Sequence, residues 1–410
     1  MDCCHQPGLL PLEQAKALLN ENVKVITKTE MVGLDSALNR VLAADLISPL
    51  NIPPFDNSAM DGYALCVSHL PANQQLPLSE KVFAGDVNKH QLKSKHCVRI
   101  MTGAPLPCGA DAVEMQENTS VDGSLITFKQ PISIGNNIRK MGEDITQGQI
   151  VISANTLLNS SHIGLLASLG FDQIAVQTRL KVALMSTGDE LIAPGNPLSH
   201  GQIYDSNRFA IKAMLERLPV EVLDFGLIPD QHSLIKQAFE QADQQADIVI
   251  CSGGVSVGEA DYTKLVLDEL GEIGFWKVAM KPGKPFAFGQ LKESYFIGLP
   301  GNPVSAYITF YKLALLVIAK ASAWNYQAPP QISAQTTTAL KKRPGRLDFQ
   351  RGIVSTDAQG QLQVSPTGNQ GSAIFSSLSQ ANCFIVLEQE RGKVMAGEWV
   401  KIELFASPMI

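Results

Sequence analysis

An apolar run, Ile248–Cys251, leads straight into Ser252-Gly253-Gly254-Val255-Ser256-Val257-Gly258-Glu259-Ala260-Asp261, and a helical pattern starts at Tyr262. Three glycines let the backbone approach a ligand closely. Ser252 and Ser256 add hydroxyl donors, and a helix start aims free N–H groups outward. That chemistry suits a phosphate. The segment lacks the lysine of a Walker loop and the G-x-G-x-x-G spacing of a dinucleotide fold. A plain Gly-rich turn with a helix cap would look similar. Glu259 and Asp261 follow the glycines. Carboxylates beside a phosphate cradle make sense with a cation between them, and magnesium takes oxygen ligands and shares substrate phosphates. Asp261 could equally cap the helix.

Other apolar runs end in the same way. Val182–Leu184 is followed by Met185-Ser186-Thr187-Gly188-Asp189-Glu190, and Val222–Gly226 by Ile228-Pro229-Asp230. Trp276–Met280 leads to Lys281-Pro282-Gly283-Lys284-Pro285, two lysines on a Pro-stiffened loop suited to an oxyanion. Leu299-Pro300-Gly301-Asn302-Pro303-Val304-Ser305 opens the last long helix, with Ser305 in its first turn. Each of these could be a cap or a turn. Together, at the carboxyl ends of strands in one parallel sheet, they point to one crevice.

Two earlier loops are dense in polar groups. Pro53–Ala64 carries Asp61, and Gly135–Asp144 carries Arg139, Lys140 and Asp144. Arginine and lysine there could hold phosphate, and the carboxylates could serve as metal or polar ligands. Met101-Thr102-Gly103-Ala104-Pro105 is a further strand-to-turn candidate. Near the C-terminus, Arg346 and Arg351 flank Leu347–Gln350, and Gly368-Asn369-Gln370-Gly371-Ser372 is a Gly-rich turn with a hydroxyl. An arginine fork suits oxyanions. His90, His96 and Cys97 lie close together but do not make a zinc signature.

Three textures must position these residues. From about 1 to 178 the chain is mixed α+β, read as two interleaved subdomains with a β-rich insertion at about 50–145. Helical patterns run near Leu12–Leu19, Leu34–Leu42 and Ser160–Leu169. Strands are expected at Lys81–Ala84 and Val98–Met101, with a hairpin of Ala112–Gln116 and Leu125–Phe128 around Asp122-Gly123. From about 179 to 326, strands at Lys181–Met185, Val220–Phe225, Asp247–Cys251, Trp276–Met280 and Tyr295–Leu299 alternate with helices at Ser206–Arg217, Ser233–Gln245, Tyr262–Leu270 and Val304–Ala321. That rhythm predicts a mostly parallel sheet with helices on both faces. From about 327 to 410 only strand patterns remain, at Gln331–Ala339, Asp348–Ser355, Leu362–Ser365, Cys383–Leu387 and Trp399–Phe405. They predict a small all-β sandwich or barrel. The fold class is multidomain α/β plus β.

The chain has 410 residues, 45% of them hydrophobic, which suggests several cores rather than one. Its net charge of −6 argues against a general nucleic-acid binder. The seven cysteines include no CxxC pair, so a disulfide framework is not expected. No basic stretch with an apolar core opens the chain, and the run Leu313–Ala319 is too short to span a bilayer. A soluble, cytoplasmic chain with no membrane role is the expectation.

The ordered set PPFDNSAMDGYA, RIMTGAP, NIRKMGEDI, STGDEL, IYDSN, SGGVSVGEADYTK, KPGKPFAFG, GLPGNPVSA, PGRLDFQRG and GNQGS runs from residue 53 to 372. It resembles the MoeA family, the molybdopterin molybdenumtransferases, which include the C-terminal part of gephyrin. The resemblance covers almost the whole chain. It implies a central domain of the molybdopterin-binding type, and a magnesium-dependent insertion of molybdate into the dithiolene of adenylylated molybdopterin with release of AMP. It implies a homodimer with a cleft shared between subunits, a separate molybdopterin adenylyltransferase as supplier, and apo-molybdoenzymes as recipients.

By motif, the resemblance implies catalytic roles for Asp61, Thr102, Asp144, Glu190, Asp230 and Asp261, the last three also around magnesium. Substrate contacts fall to Arg139, Thr187, Gly188, Ser252, Gly253, Gly254, Ser256, Lys277 and Lys281. The molybdate pocket falls to Lys284, Pro285, Ser305, Arg351 and Ser372. Lys140 stands where the family commonly has a second arginine. The alternatives are a non-catalytic molybdopterin carrier or scaffold and, last, a CinA-like nucleotide pyrophosphatase. The latter would not need the MDGYA and GEDI loops or the β domain.

Overall fold

The computed structural model describes residues 8–86, 90–253 and 262–405. They form two compact units, one of residues up to 44, 155–163 and 172 onward, the other of 45–154 and 164–171.

The larger unit is built on a six-stranded sheet. Its order is Val220–Ile228, Leu180–Thr187, Ile248–Ser252, Tyr295–Leu299, Pro285–Gln290, Glu272–Lys277. The first four strands are parallel, and the last two each run antiparallel to the strand before. The Glu272 strand therefore ends at the same sheet edge as the parallel four. Strands Ile248–Ser252 and Tyr295–Leu299 are buried throughout, as strands covered on both faces must be. Alternate residues of one strand feed two cores. Val182 and Leu184 pack with Ile211, Leu215 and the helical stretch Pro303–Ala321. Ala183 and Met185 pack with Ile235, Phe239, Val266 and Leu267 of helices His232–Gln245 and Tyr262–Leu270.

Two expectations change here. Trp276–Met280 is not one parallel strand. The strand ends at Lys277, and Pro285–Gln290, unforeseen, lies antiparallel between it and Tyr295–Leu299. The hairpin pairs Lys277 with Pro285, and Met280–Lys281 leaves the α/β sheet to pair with Leu347–Asp348. The second concerns Leu34–Leu42. Only Leu34–Ser36 coils, as a single 3-10 turn. Asn39 then takes a left-handed φ of 57°, which ends helical winding, and Val41 and Leu42 make bridges to Leu157 and Val176.

The C-terminal strands close into a barrel-like sheet. Leu347–Thr356 pairs with both Leu362–Pro366 and Cys383–Leu387, and Gln331–Thr336 with Trp399–Leu404 completes the ring. Inward residues Ala334, Val364, Ile385, Val400 and Ile402 fill it. The last long helix begins at Pro303, loosens into a π-helical stretch at Phe310–Ala314, and resumes over Leu315–Ala321. It is long and apolar enough to cross a membrane, but most of it is buried in the protein's interior.

The smaller unit holds its own six-stranded sheet, ordered Ala112–Met115, Gly62–Leu65, Cys97–Ile100, Gln75–Val82, Leu125–Phe128, Thr119–Asp122. This corrects the expected hairpin. Leu125–Phe128 pairs with Thr119–Asp122 across Gly123-Ser124, whereas buried Ala112–Met115 pairs with Gly62–Leu65, three strands away. The exposed Thr119 strand has too little apolar alternation to announce itself. Gly62 is required by this pairing, since a Cβ there would lie 2.0 Å from the Glu114 carbonyl oxygen.

Candidate active site

The carboxyl edge of the α/β sheet gathers the strand-end motifs. Thr187 and Ser252 are buried at the tips of adjacent strands. Ser252 Oγ accepts a hydrogen bond from Asn207 Nδ2 at 2.9 Å, and the same amide donates to the Gly301 carbonyl at 2.8 Å. Ser252 is thereby left its own proton to donate. Gly253 has φ +99° and sits so close to Thr187 that a Cβ would lie 2.6 Å from its carbonyl oxygen. Gly254, Ser256, Glu259 and Asp261 lie outside the described residues.

Sequence reasoning did not single out Asn207, although it lies within IYDSN. It ties the Ser252 and Gly301 loops together. Asp205 is the cap of the helix Ser206–Leu215. It accepts from Arg208 N at 3.2 Å and from Ser186 Oγ at 3.2 Å, and its other oxygen takes Arg208 Nε at 3.0 Å. The Asp-Ser-Asn signature of a helix start was the available signal.

Acidic groups cluster at the next tips. Glu190 folds back over Gly188, whose added Cβ would lie 2.8 Å from Glu190 Oε2. The Asp230 backbone N–H donates to Asp189 Oδ1 at 3.0 Å. Burial, then the charges of Asp189 and Glu190, hold the Asp230 carboxyl above the ordinary carboxylate value. Repelling carboxylates of this kind are what a hard divalent cation relieves. Among the described residues no three-ligand metal cluster is formed.

The basic residues occupy the hairpin Lys277–Pro285. Lys277 is exposed, and Lys281 Nζ lies 3.4 Å from Asp348 Oδ2. The Lys284 carbonyl accepts from Val278 N at 2.7 Å. Gly283, at φ +104°, rests against the last long helix, where a Cβ would lie 2.5 Å from Thr309 Oγ1 and 3.6 Å from the Ser305 carbonyl. Val304 N in turn donates to the Ser372 carbonyl at 3.0 Å. Arg351 Nη2 donates to the neighbouring Gly371 carbonyl at 3.1 Å, and its Nε to Ser377 Oγ at 2.9 Å. Lys284, Pro285, Ser305, Arg351 and Ser372 thus belong to one linked set of turns, strand ends and the first turn of a helix.

Arg351 is the unusual member. It is fully buried, and among the described residues it has no carboxylate in ion-pair contact. Burial pushes its guanidinium down to about 10, offset only by a through-space pull from Asp348. A buried guanidinium whose bonds go to neutral groups keeps a positive charge that an oxyanion could match.

The smaller unit carries Asp61, Thr102, Arg139 and Asp144, all exposed. Asp61 Oδ1 accepts from Thr102 N at 2.7 Å and Thr102 Oγ1 at 2.8 Å, and these bonds hold its carboxyl below the ordinary range. Arg139 lies opposite Asn57 in a two-residue pairing, and Asp144 N donates to the Ile52 carbonyl at 3.0 Å. Lys140 is engaged by Asp56 at 2.8 Å.

These observations define a multidomain α/β protein whose sheet edge collects buried hydroxyls, a close-packed glycine and an acidic cluster, with a buried arginine on the adjoining barrel. Comparison with known proteins agrees. Residues 10–170 match the MoeA N-terminal region (domain I and II), 183–320 a probable molybdopterin binding domain, and 333–405 the MoeA C-terminal region (domain IV). The chain is 51% identical over 400 residues to the molybdopterin molybdenumtransferase of Haemophilus influenzae, covering 97% of this chain and 99% of that protein. It is 31% identical to the Bacillus subtilis protein of the same name, covering 92% and 90%. A crystal structure of the molybdopterin biosynthesis MoeA protein from Pyrococcus horikoshii superposes with a TM-score of 0.82 at 29% identity, over 97% of this chain and all of that one. The chain belongs to the molybdopterin molybdenumtransferase family.

Proposed function

We propose that the chain inserts molybdenum, supplied as molybdate, into the dithiolene of adenylylated molybdopterin, in a magnesium-dependent step that releases AMP. The observation that carries this reading is Arg351: a buried guanidinium with no carboxylate in ion-pair contact among the described residues, on a strand whose neighbours lead to Ser372, Ser305 and the Lys284 turn. Molybdate is a tetrahedral dianion, and these donors would hold it without a covalent bond. The Ser252 hydroxyl and the close-approaching Gly253 backbone would orient the substrate phosphate. Glu190 and Asp230, with Asp261, would hold magnesium, which when bound neutralises charge on the phosphoanhydride. Lys277 and Lys281 would add positive charge where the anhydride is drawn in. In the cleavage, a P–O bond of the anhydride breaks, an oxygen of water or molybdate bonds to phosphorus, and AMP leaves.

Asp61, Thr102, Arg139 and Asp144 are assigned to the same reaction on the family resemblance. So are a cytoplasmic homodimer, a separate adenylyltransferase as supplier and apo-molybdoenzymes as recipients. The test is an insertion assay with purified protein, adenylylated molybdopterin, magnesium and molybdate. AMP release together with activation of a cofactor-free molybdoenzyme is expected. Tight pterin binding with neither signal would replace this reading with a carrier.

The acidic cluster gives a second test. A carboxyl raised in the folded state binds more protons folded than unfolded. Its contribution to stability therefore falls as pH rises from the ordinary 3.8 through the raised value of Asp230. Above that window Asp230→Asn should melt higher than wild type without magnesium. Saturating magnesium should raise the wild-type melting temperature by roughly 2–4 °C. It should do nothing for the double variant Glu190→Gln/Asp230→Asn. Equal shifts in both proteins would remove magnesium from these carboxylates.

A further inference from the structure

The chain is acidic overall, with a net charge of −6, yet one groove of about 970 Å³ concentrates positive charge. Seven cationic side chains line it against a single carboxylate, Asp348. Lys281 and Lys284 are already placed in the site above. The other five come from the barrel: Lys341, Lys342, Arg343, Arg346 and Lys393.

Lys342 differs from its neighbours. It is buried, and its ammonium donates to the carbonyls of Arg343 and Arg346, each at 2.8 Å, and of Gln389 at 3.3 Å. The Gly345 N–H adds a bond to the Gln389 carbonyl at 2.8 Å, and Gln350 Nε2 holds the Lys341 carbonyl at 2.9 Å. Leu340 and Val394 bridge each other, which sets Lys341 and Lys393 on adjoining strands of chain. The result is a fixed arch rather than a loose basic tail. It presents Lys341, Arg343 and Lys393 to solvent and Arg346 half-buried. Among the described residues none of these four makes an ion pair, and the one carboxylate lining the groove, Asp348, is engaged by Lys281, so like charges outnumber their counter-charge. Such gathering is unfavourable unless an anion visits.

We propose that this arch is a second dianion subsite, one that collects tetrahedral oxyanion groups beside the Lys281–Lys284 hairpin and outside the Arg351 pocket. It rests on the reading above for the identity of the anions, molybdate or the phosphate ester of the substrate. The volume is that of a whole ligand rather than of one oxyanion. The arch is positioned to raise the local anion concentration at the mouth of the site.

The test titrates the full chain with molybdate and, separately, with ADP as a phosphate-ester probe. Wild type is compared with the triple variant Lys341→Ala/Arg343→Ala/Lys393→Ala. All three side chains are exposed, so an unchanged melting temperature is the fold control. At low salt the variant should lose roughly tenfold in affinity for at least one probe, and much of the wild type's salt dependence. Loss in the molybdate arm assigns the arch to the metal substrate, and loss in the ADP arm to the phosphate ester. In the insertion assay KM for that substrate should rise while kcat holds. Unchanged affinity for both probes overturns the proposal. Arg351→Met is the separating control: it empties the inner pocket but should keep the arch-dependent binding. Failure of the insertase reading and failure of the arch therefore give different results.

Discussion

Replacing Arg351 with methionine should leave the protein folded and nearly as stable, while kcat/KM for molybdate falls about a hundredfold or more. The two halves of this expectation have one cause. The guanidinium is buried, and the Ser377 hydroxyl and Gly371 backbone carbonyl that it donates to are neutral. Losing those bonds destabilises, but removing a desolvated charge offsets the loss, so the net change in unfolding free energy should stay within about 1 kcal/mol. The activity has no such compensation, because a thioether cannot receive an oxyanion. Arg351→Lys should recover only part of the rate, keeping charge without the planar fork. Urea denaturation and the insertion assay on the same preparations check this. Full activity in Arg351→Met would remove it from the oxyanion seat, and a large stability loss would make its role architectural.

Lys312→Ala should instead be a stability variant, costing about 3–5 kcal/mol. Lys312 lies on the π-helical stretch and pairs with Glu403, and both are almost fully buried. Burial pushes the lysine down, and Glu403 opposes this. The ammonium also lies 4.7 Å from the Tyr311 ring centroid and 4.8 Å from that of Phe349. Removing one partner strands the other in this aromatic box. The double variant Lys312→Met/Glu403→Gln should recover most of the loss, since methionine packs well against rings. The measurement is the thermal or urea midpoint of wild type and both variants. A single variant as stable as wild type would show the pair to contribute nothing.

Legibility in the sequence followed burial. Strands Leu180–Thr187, Ile248–Ser252 and Tyr295–Leu299 are apolar on both faces and were plain to read. Pro285–Gln290 was hidden because its start coincides with a Pro-Gly-Lys-Pro turn and Gly289 weakens its end, so a strand resembled the tail of a loop. Thr119–Asp122 was hidden by its exposure. At the site, the loops were visible by their residue types, but the couplings were not. Asn207 acts through a neighbour's hydroxyl, and nothing in a local pattern reveals that. Arg346 and Arg351 looked alike as flanks of one strand. Arg351 lies inside the strand Leu347–Thr356 and is fully buried, whereas Arg346 lies in the turn before it and lines the groove.

The residues Val278–Lys281 are gripped from two directions. Leu10 exchanges bonds with Lys277 and Ala279, and Leu347 N donates to the Ala279 carbonyl at 2.9 Å. One short stretch of backbone is therefore common property of the α/β sheet, the N-terminal segment and the barrel. The Ala279 amide is spent on Leu10 and the Leu347 amide on Ala279, so exchange at Leu347 should report the barrel's release from the hairpin, and exchange at Ala279 that of the N-terminal segment. Cutting the chain before the barrel would do more than delete Arg351: it would release the lysine hairpin from its template. The C-terminal strands thus behave as a mould for the lysine hairpin of the preceding domain.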